Sequence, residues 1–79
     1  MSKLPALKPK RALQALLRAG FVINHQKGSH VQLRHPVKTT LRVTIAMHTR
    51  FDLPGDVVAS IMTQADVTRE EFLKLLSKS

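Results

Sequence analysis

Gln26-Lys27-Gly28-Ser29-His30-Val31-Gln32-Leu33-Arg34-His35-Pro36 is the stretch whose reading decides the fold. Lys27-Gly28-Ser29 makes a tight turn, and the residues after it alternate. His30, Gln32 and Arg34 point to one side, Val31 and Leu33 to the other. A period of two belongs to a half-buried strand whose polar set faces water. The turn therefore holds an ionisable imidazole at a strand mouth, beside a flexible glycine and a lysine.

Upstream of the turn, Phe21-Val22-Ile23-Asn24-His25 is rich in strand-forming residues and predicts a first strand. Downstream, Pro36 and Lys38-Thr39-Thr40 close the second strand, and Leu41–Met47 predicts a third. There Leu41, Val43, Ile45 and Met47 point inward, and Arg42, Thr44 and Ala46 outward. The connections are too short for crossovers, so the three strands form an antiparallel meander. A register with Gln32 opposite Thr44 sets Arg34 against Arg42 and His30 against Ala46. His48 then emerges just past the strand end, near Gly28.

The flanks read as helices. Pro9 suits a first helical turn, and Ala12, Leu13, Leu16 and Leu17 make an apolar stripe over Lys10–Ala19. Lys10, Arg11, Gln14 and Arg18 fill its wet face, which suits contact with phosphates and plain solvation equally well. Gly20 supplies the left-handed position that ends this helix. After Leu53-Pro54-Gly55-Asp56 a second helix carries Val57, Val58, Ile61, Met62 and Ala65 inward, and Asp66 breaks it. Thr68 with Glu71 forms a capping box and Val67 with Phe72 a hydrophobic staple, opening a final short helix to about Leu76. Its residues Phe72, Leu73, Leu75 and Leu76 are available for docking. The expected fold is α+β, in the order α-β-β-β-α with a C-terminal helix. Helices cover one sheet face and leave His30, Gln32, Arg34, Arg42 and Thr44 open on the other.

Seventy-nine residues are expected to make one domain, 1–79, with a thin core. Tryptophan and tyrosine are absent, which argues against a sheet that stacks bases on aromatic rings. The absence of cysteine excludes disulfides, thiolate metal sites and a thiol nucleophile. No apolar run approaches membrane-spanning length, so the cytoplasm is the expected location and no membrane partner is expected. The net charge is +8, from 13 Lys and Arg against five acids. All five acids (Asp52, Asp56, Asp66, Glu70 and Glu71) follow residue 51, and ten of the basic residues precede it. A half so basic attracts polyanions, nucleic acid first among them, with a solubilising surface or an acidic protein partner as the alternatives.

Four histidines raise the question of a metal. His25, His30 and His35 are spaced five apart, an odd spacing that sets strand neighbours on opposite faces; the turn complicates this for His25, but no carboxylate or cysteine lies nearby to complete a ligand set. No metal and no cofactor are expected, and His25 and His35 read as strand-end residues without chemistry. The acids suit the positive ends of the later helices rather than paired-carboxylate catalysis. Ser29 and His30 are adjacent and diverge, which leaves a Ser-His-Asp triad unsupported. Metal-free cleavage of RNA remains open: an imidazole can take the proton of a ribose 2′-hydroxyl, and Lys27, Arg34 or Arg42 can stabilise charge on the phosphate.

Leu16-Leu17-Arg18-Ala19-Gly20-Phe21, Gln26-Lys27-Gly28-Ser29-His30 and His35-Pro36 together resemble the HicA family of toxin ribonucleases. Val43-Thr44-Ile45-Ala46-Met47-His48 and the run Ile61–Phe72 fit the same pattern, so the resemblance spans about residues 9–76. It implies a double-stranded-RNA-binding-domain-like fold, cleavage of messenger RNA and neutralisation by a HicB antitoxin. The histidine of the family's Gly-Ser-His motif falls on His30, with Gly28 allowing close approach and Ser29 contacting phosphate or antitoxin. Ala46 stands where the family often has proline, and Asp66 where glycine is usual; both bear on local loop shape.

The expectation is thus a metal-independent endoribonuclease with His30 as general base. Lys10, Arg11, Lys27, Gly28, Ser29, Arg34 and Arg42 are the expected RNA contacts, and His48 a possible auxiliary. DNA contact is expected only within an antitoxin complex. The alternatives are a non-catalytic RNA-binding module of the same fold and a basic adaptor that binds only protein.

Overall fold

A computed structural model describes residues 6–47 and 52–77 of the chain. Its elements run α1 (Pro9–Arg18), β1 (Val22–Lys27), β2 (His30–Arg34), β3 (Arg42–Ala46), α2 (Gly55–Ala65) and α3 (Arg69–Ser77). The fold is α+β, with a three-stranded antiparallel sheet in the order β1-β2-β3. The alternation of β2 and β3 sets the register as expected: His30 pairs with Ala46, Gln32 with Thr44 and Arg34 with Arg42. Val31, Leu33, Val43 and Ile45 are buried on one face, where they join Ala12, Ala15 and Leu16 of α1, Val58, Ile61, Met62 and Ala65 of α2, and Phe72 of α3.

The outer strand departs from expectation. β1 begins at Val22 and runs on to Lys27, and its register shifts between Ile23 and His25, so that Asn24 is an extra residue. Such a bulge offsets the inward–outward alternation by one. β1 makes no substantial contact with any helix, and Val22 and Ile23 are 43% and 49% exposed. At the other edge of the sheet, the Thr44 backbone N–H donates to Gln64 Oε1 of α2 at 3.4 Å.

Both of the first two helices end in the same motif. Gly20, at φ 101°, follows α1; its N–H donates to Leu17 O and that of Phe21 to Leu16 O, each at 3.1 Å. This pairing satisfies the last carbonyls and brings Phe21 against the helix end. A side chain at Gly20 would also meet the His35 ring, with a Cβ 3.1 Å from Nε2. At the end of α2 the left-handed position is held by Asp66, at φ 56°, with Asp66 N donating to Thr63 O and Val67 N to Met62 O. A left-handed residue with a Cβ costs about 1–2 kcal/mol, whereas glycine loosens the unfolded chain by about 0.4–1 kcal/mol. Asp66→Gly is therefore expected to gain about 0.5 kcal/mol. Urea denaturation checks this: the midpoint should rise, and an unchanged or lower midpoint would show that Asp66 carries no strain.

The capping box forms as the sequence predicts. Thr68 N–H donates to Glu71 Oε1 at 2.8 Å, and Glu71 N–H donates to Thr68 Oγ1 at 3.1 Å. The Thr68 backbone N–H above all, then its hydroxyl, holds the Glu71 carboxyl below the usual carboxylate range. The cap's stabilisation is thus complete above the unfolded value and is lost as pH falls through the lowered, folded one.

α3 is fastened from an unexpected direction. Arg18 donates to Leu75 O at 2.8 Å and Arg11 to Leu76 O at 3.2 Å, so two cations of α1 meet the negative end of α3. The buried stripe of α1 is Ala12, Ala15 and Leu16, and Leu17 is 42% exposed. Val57 and Leu73 also lie outward, because α2 and α3 sit rotated from the faces their spacing suggested. Leu7 and Leu53, both buried, exchange backbone hydrogen bonds and tie the start of the described chain to the approach to α2.

Candidate nucleic-acid interface

The open face of the sheet begins at the hairpin turn. Gly28 takes the first central position at φ 58°, and Ser29 is not in the left-handed region. Glycine there is what a two-residue turn of type II′ requires, and that turn carries the right-handed twist of the flanking strands. Lys27 and His30 close the hairpin as a direct cross-strand pair. Ser29 O accepts the Met47 N–H at 2.6 Å, which extends the ladder on the β3 side past the strand end. His30 is thus flanked by Lys27 on β1 and Ala46 on β3, with its ring on the exposed face.

Further along the same face, Arg34 stands opposite Arg42. Like charges directly opposite repel, and among the described residues neither guanidinium has a carboxylate partner; the ion pair there is Lys8–Asp52, at 3.8 Å and largely exposed. An anion relieves that repulsion. Arg34 lies four positions along the strand from His30, about 13 Å. The arginine pair therefore stands well apart from His30 along the same face. Between them lies a hollow of about 190 Å³ lined by Asn24, Gln32, Leu33, Arg42, Val43 and Thr44.

The expected contacts do not all converge. Lys27, Gly28, Ser29, His30, Arg34 and Arg42 share the turn and the open face. Lys10 and Arg11 belong to α1, which packs on the covered face, and Arg11 is engaged with α3. His48 lies outside the described residues. His35 holds the loop after β2 in place. Its Nδ1 accepts the Val37 and Lys38 N–H groups at 3.2 and 3.0 Å, and its ring meets Phe21 edge-on at 5.1 Å. It borders a larger hollow of about 350 Å³, rimmed by Lys38, Asp66, Glu71 and Lys74, at the end of the sheet away from His30. Among the described residues, no three of His, Cys, Asp and Glu gather to hold a metal ion.

One residue of this face escapes the sequence pattern. His25 pairs with Gln32, two positions along β1 from the Lys27–His30 pair. Directly paired residues share a face, so the two-residue turn that sets Lys27 opposite His30 also puts His25 on the side of His30. The two-residue Gly28-Ser29 turn, from which His25 and Lys27 alternate onto the face of His30, is the available signal.

A basic, acid-free sheet face with a histidine at its hairpin mouth defines a small α+β protein suited to polyanions. The sequence profile of the family described as HicA toxin of bacterial toxin-antitoxin matches residues 9–67. The chain belongs to that family: it is a toxin of a toxin–antitoxin system and has an antitoxin as its partner. A comparison with curated proteins gives no significant match. No helix among the described residues is long and apolar enough to cross a membrane.

Proposed function

We propose that this toxin, acting as one domain, is a metal-independent endoribonuclease that cleaves messenger RNA with His30 as general base. The observation that supports this best is the pairing of His30 with Lys27 at the mouth of an exposed hairpin, on a face without acids. His30 takes the proton of a ribose 2′-hydroxyl, whose oxygen attacks the adjacent phosphorus. Lys27 stabilises the charge that builds on the phosphoryl oxygens. Gly28 keeps the turn open, with nothing within 4 Å of where a Cβ would sit, and Ser29 lies beside it. Arg34 and Arg42 hold flanking phosphates. Lys10 contributes long-range attraction from α1, as does Arg11 from beside α3. The antitoxin, a HicB-like protein, covers this face with an acidic or hydrogen-bonding surface, and the pair works in the cytoplasm.

Incubation with RNA in EDTA tests the proposal. Fragments ending in a 2′,3′-cyclic phosphate and a 5′-hydroxyl are expected, and one 2′-deoxy substitution at the cut site should block cleavage there. DNA of the same sequence should stay intact. Intact RNA, or equal cutting of DNA, overturns the reading.

The Arg34–Arg42 pair, distant from His30, also favours a second reading as a non-catalytic RNA-binding module. Salt-sensitive RNA binding without cleavage is its signature.

A further inference from the structure

We propose that His25 is the general acid of the cleavage reaction, donating the proton that the 5′-oxygen needs as it leaves. This rests on the ribonuclease reading and adds a second imidazole to it. An in-line displacement places the attacking and leaving oxygens on opposite sides of phosphorus. A base and an acid that each hydrogen-bond one oxygen must therefore flank the phosphate rather than share one side of it. On the open face, the partner directly across from His30 is Lys27, and the diagonal neighbour is His25. Diagonal residues on one face of an antiparallel pair lie about 7–8 Å apart. That separation leaves room for a phosphate between two imidazoles, with the Lys27 ammonium beside it.

The two-residue turn is what makes this arrangement. The pairing runs unbroken from Lys27–His30 through Gln26–Val31 to His25–Gln32, and the bulge at Asn24 lies beyond it, so His25 stays on the face of His30. β1 is exposed along its whole length and no helix covers it, so His25 is accessible to substrate.

Neutral His30 accepts the 2′-hydroxyl proton, the 2′-oxygen bonds to phosphorus, and the bond from phosphorus to the 5′-oxygen breaks. Protonated His25 gives its proton to that oxygen. The products are a 2′,3′-cyclic phosphate, a 5′-hydroxyl, His30 protonated and His25 neutral. Proton exchange with water then restores both side chains.

The test compares wild type, His25→Ala, His30→Ala and Lys27→Ala on one RNA whose cut site has been mapped. A second substrate replaces the leaving 5′-oxygen at that site with sulfur, which departs as a thiolate and needs no proton. His25→Ala is expected to cut the all-oxygen RNA about 10²-fold more slowly. On the sulfur substrate it should return to within a few-fold of wild type. His30→Ala should be slow on both substrates. A structural defect slows both alike, so rescue by sulfur separates acid catalysis from misfolding; His25→Gln, checked by circular dichroism, serves the same end. The proposal is overturned if His25→Ala cuts the all-oxygen RNA normally, if it is equally slow on both, or if sulfur rescues Lys27→Ala instead. If wild type cuts neither RNA, the ribonuclease reading and the role of His25 fall together. If His30→Ala alone is inactive, the ribonuclease reading survives without a role for His25.

Discussion

His30→Ala is expected to lose RNA cleavage by about 10²–10⁴-fold while still binding RNA. Removing a general base takes away an interaction made only as the proton moves, so the loss falls on the rate and not on affinity. Affinity for RNA comes instead from cations that displace counterions, and the strand and turn supply Lys27, Arg34 and Arg42 for that. The binding isotherm and its salt dependence should therefore match wild type within error when measured on the same RNA. His30→Gln keeps hydrogen-bonding capacity but cannot accept the proton, and it should be as inactive as alanine. Both variants need a wild-type circular dichroism spectrum for the comparison to count. Cleavage by either at a rate within about threefold of wild type would remove His30 from the reaction.

Phe72→Ala is expected to abolish cooperative folding near room temperature. Phe72 is fully buried and is the largest such side chain in the core. Truncating a buried phenylalanine costs about 3–5 kcal/mol, the transfer loss plus an unfilled cavity. Domains of this size hold roughly 5 kcal/mol in all, at the low end of the usual range. The loss is compounded because Phe72 lies one turn from the capping box on one side and from the Arg11 and Arg18 contacts on the other. α3 lies beyond the residues matched by the family profile, yet it closes the core. Thermal melting by circular dichroism should show no cooperative transition, and Phe72→Leu should keep one at a lower midpoint. A Phe72→Ala protein melting within a few degrees of wild type would show that α3 is not integral to the core.

The parts of the fold that can be read from the sequence are those written in short-range pattern. The alternation in His30–Arg34 and Arg42–Ala46 leaves only steps of two for the register, and the short loops exclude parallel pairing. Gly20 and Thr68–Glu71 are local signals whose partners lie within four residues. The bulge at Asn24 is hidden because one inserted residue looks like a continuing strand while reversing which side chains share a face. The shared face of His25 and His30 is missed for another reason: their odd spacing runs across a two-residue turn, which returns them to one side. Arg11 and Arg18 read as a solvated or phosphate-binding face because nothing in their own helix reveals carbonyls arriving from residues 75 and 76. The outward positions of Leu17, Val57 and Leu73 have a similar origin. Helical spacing defines a stripe, and the neighbour decides which edge of it is covered. Within the candidate interface, the turn and its histidine are local and legible, whereas the distance between His30 and the arginine pair needs the register.

A sheet of three strands has two rims along which another chain can add a strand, and the two rims here are treated differently. On β3, the Gln64 side chain occupies the Thr44 N–H that an incoming strand would claim. On β1, the bulge interrupts the straight row of donors and acceptors, and Lys27 places a charge near its end. Interruptions of this kind keep a bare rim from templating growth. The molecule thus tolerates uncovered Val22 and Ile23 on its outermost strand without offering copies of itself a flat edge on which to polymerise.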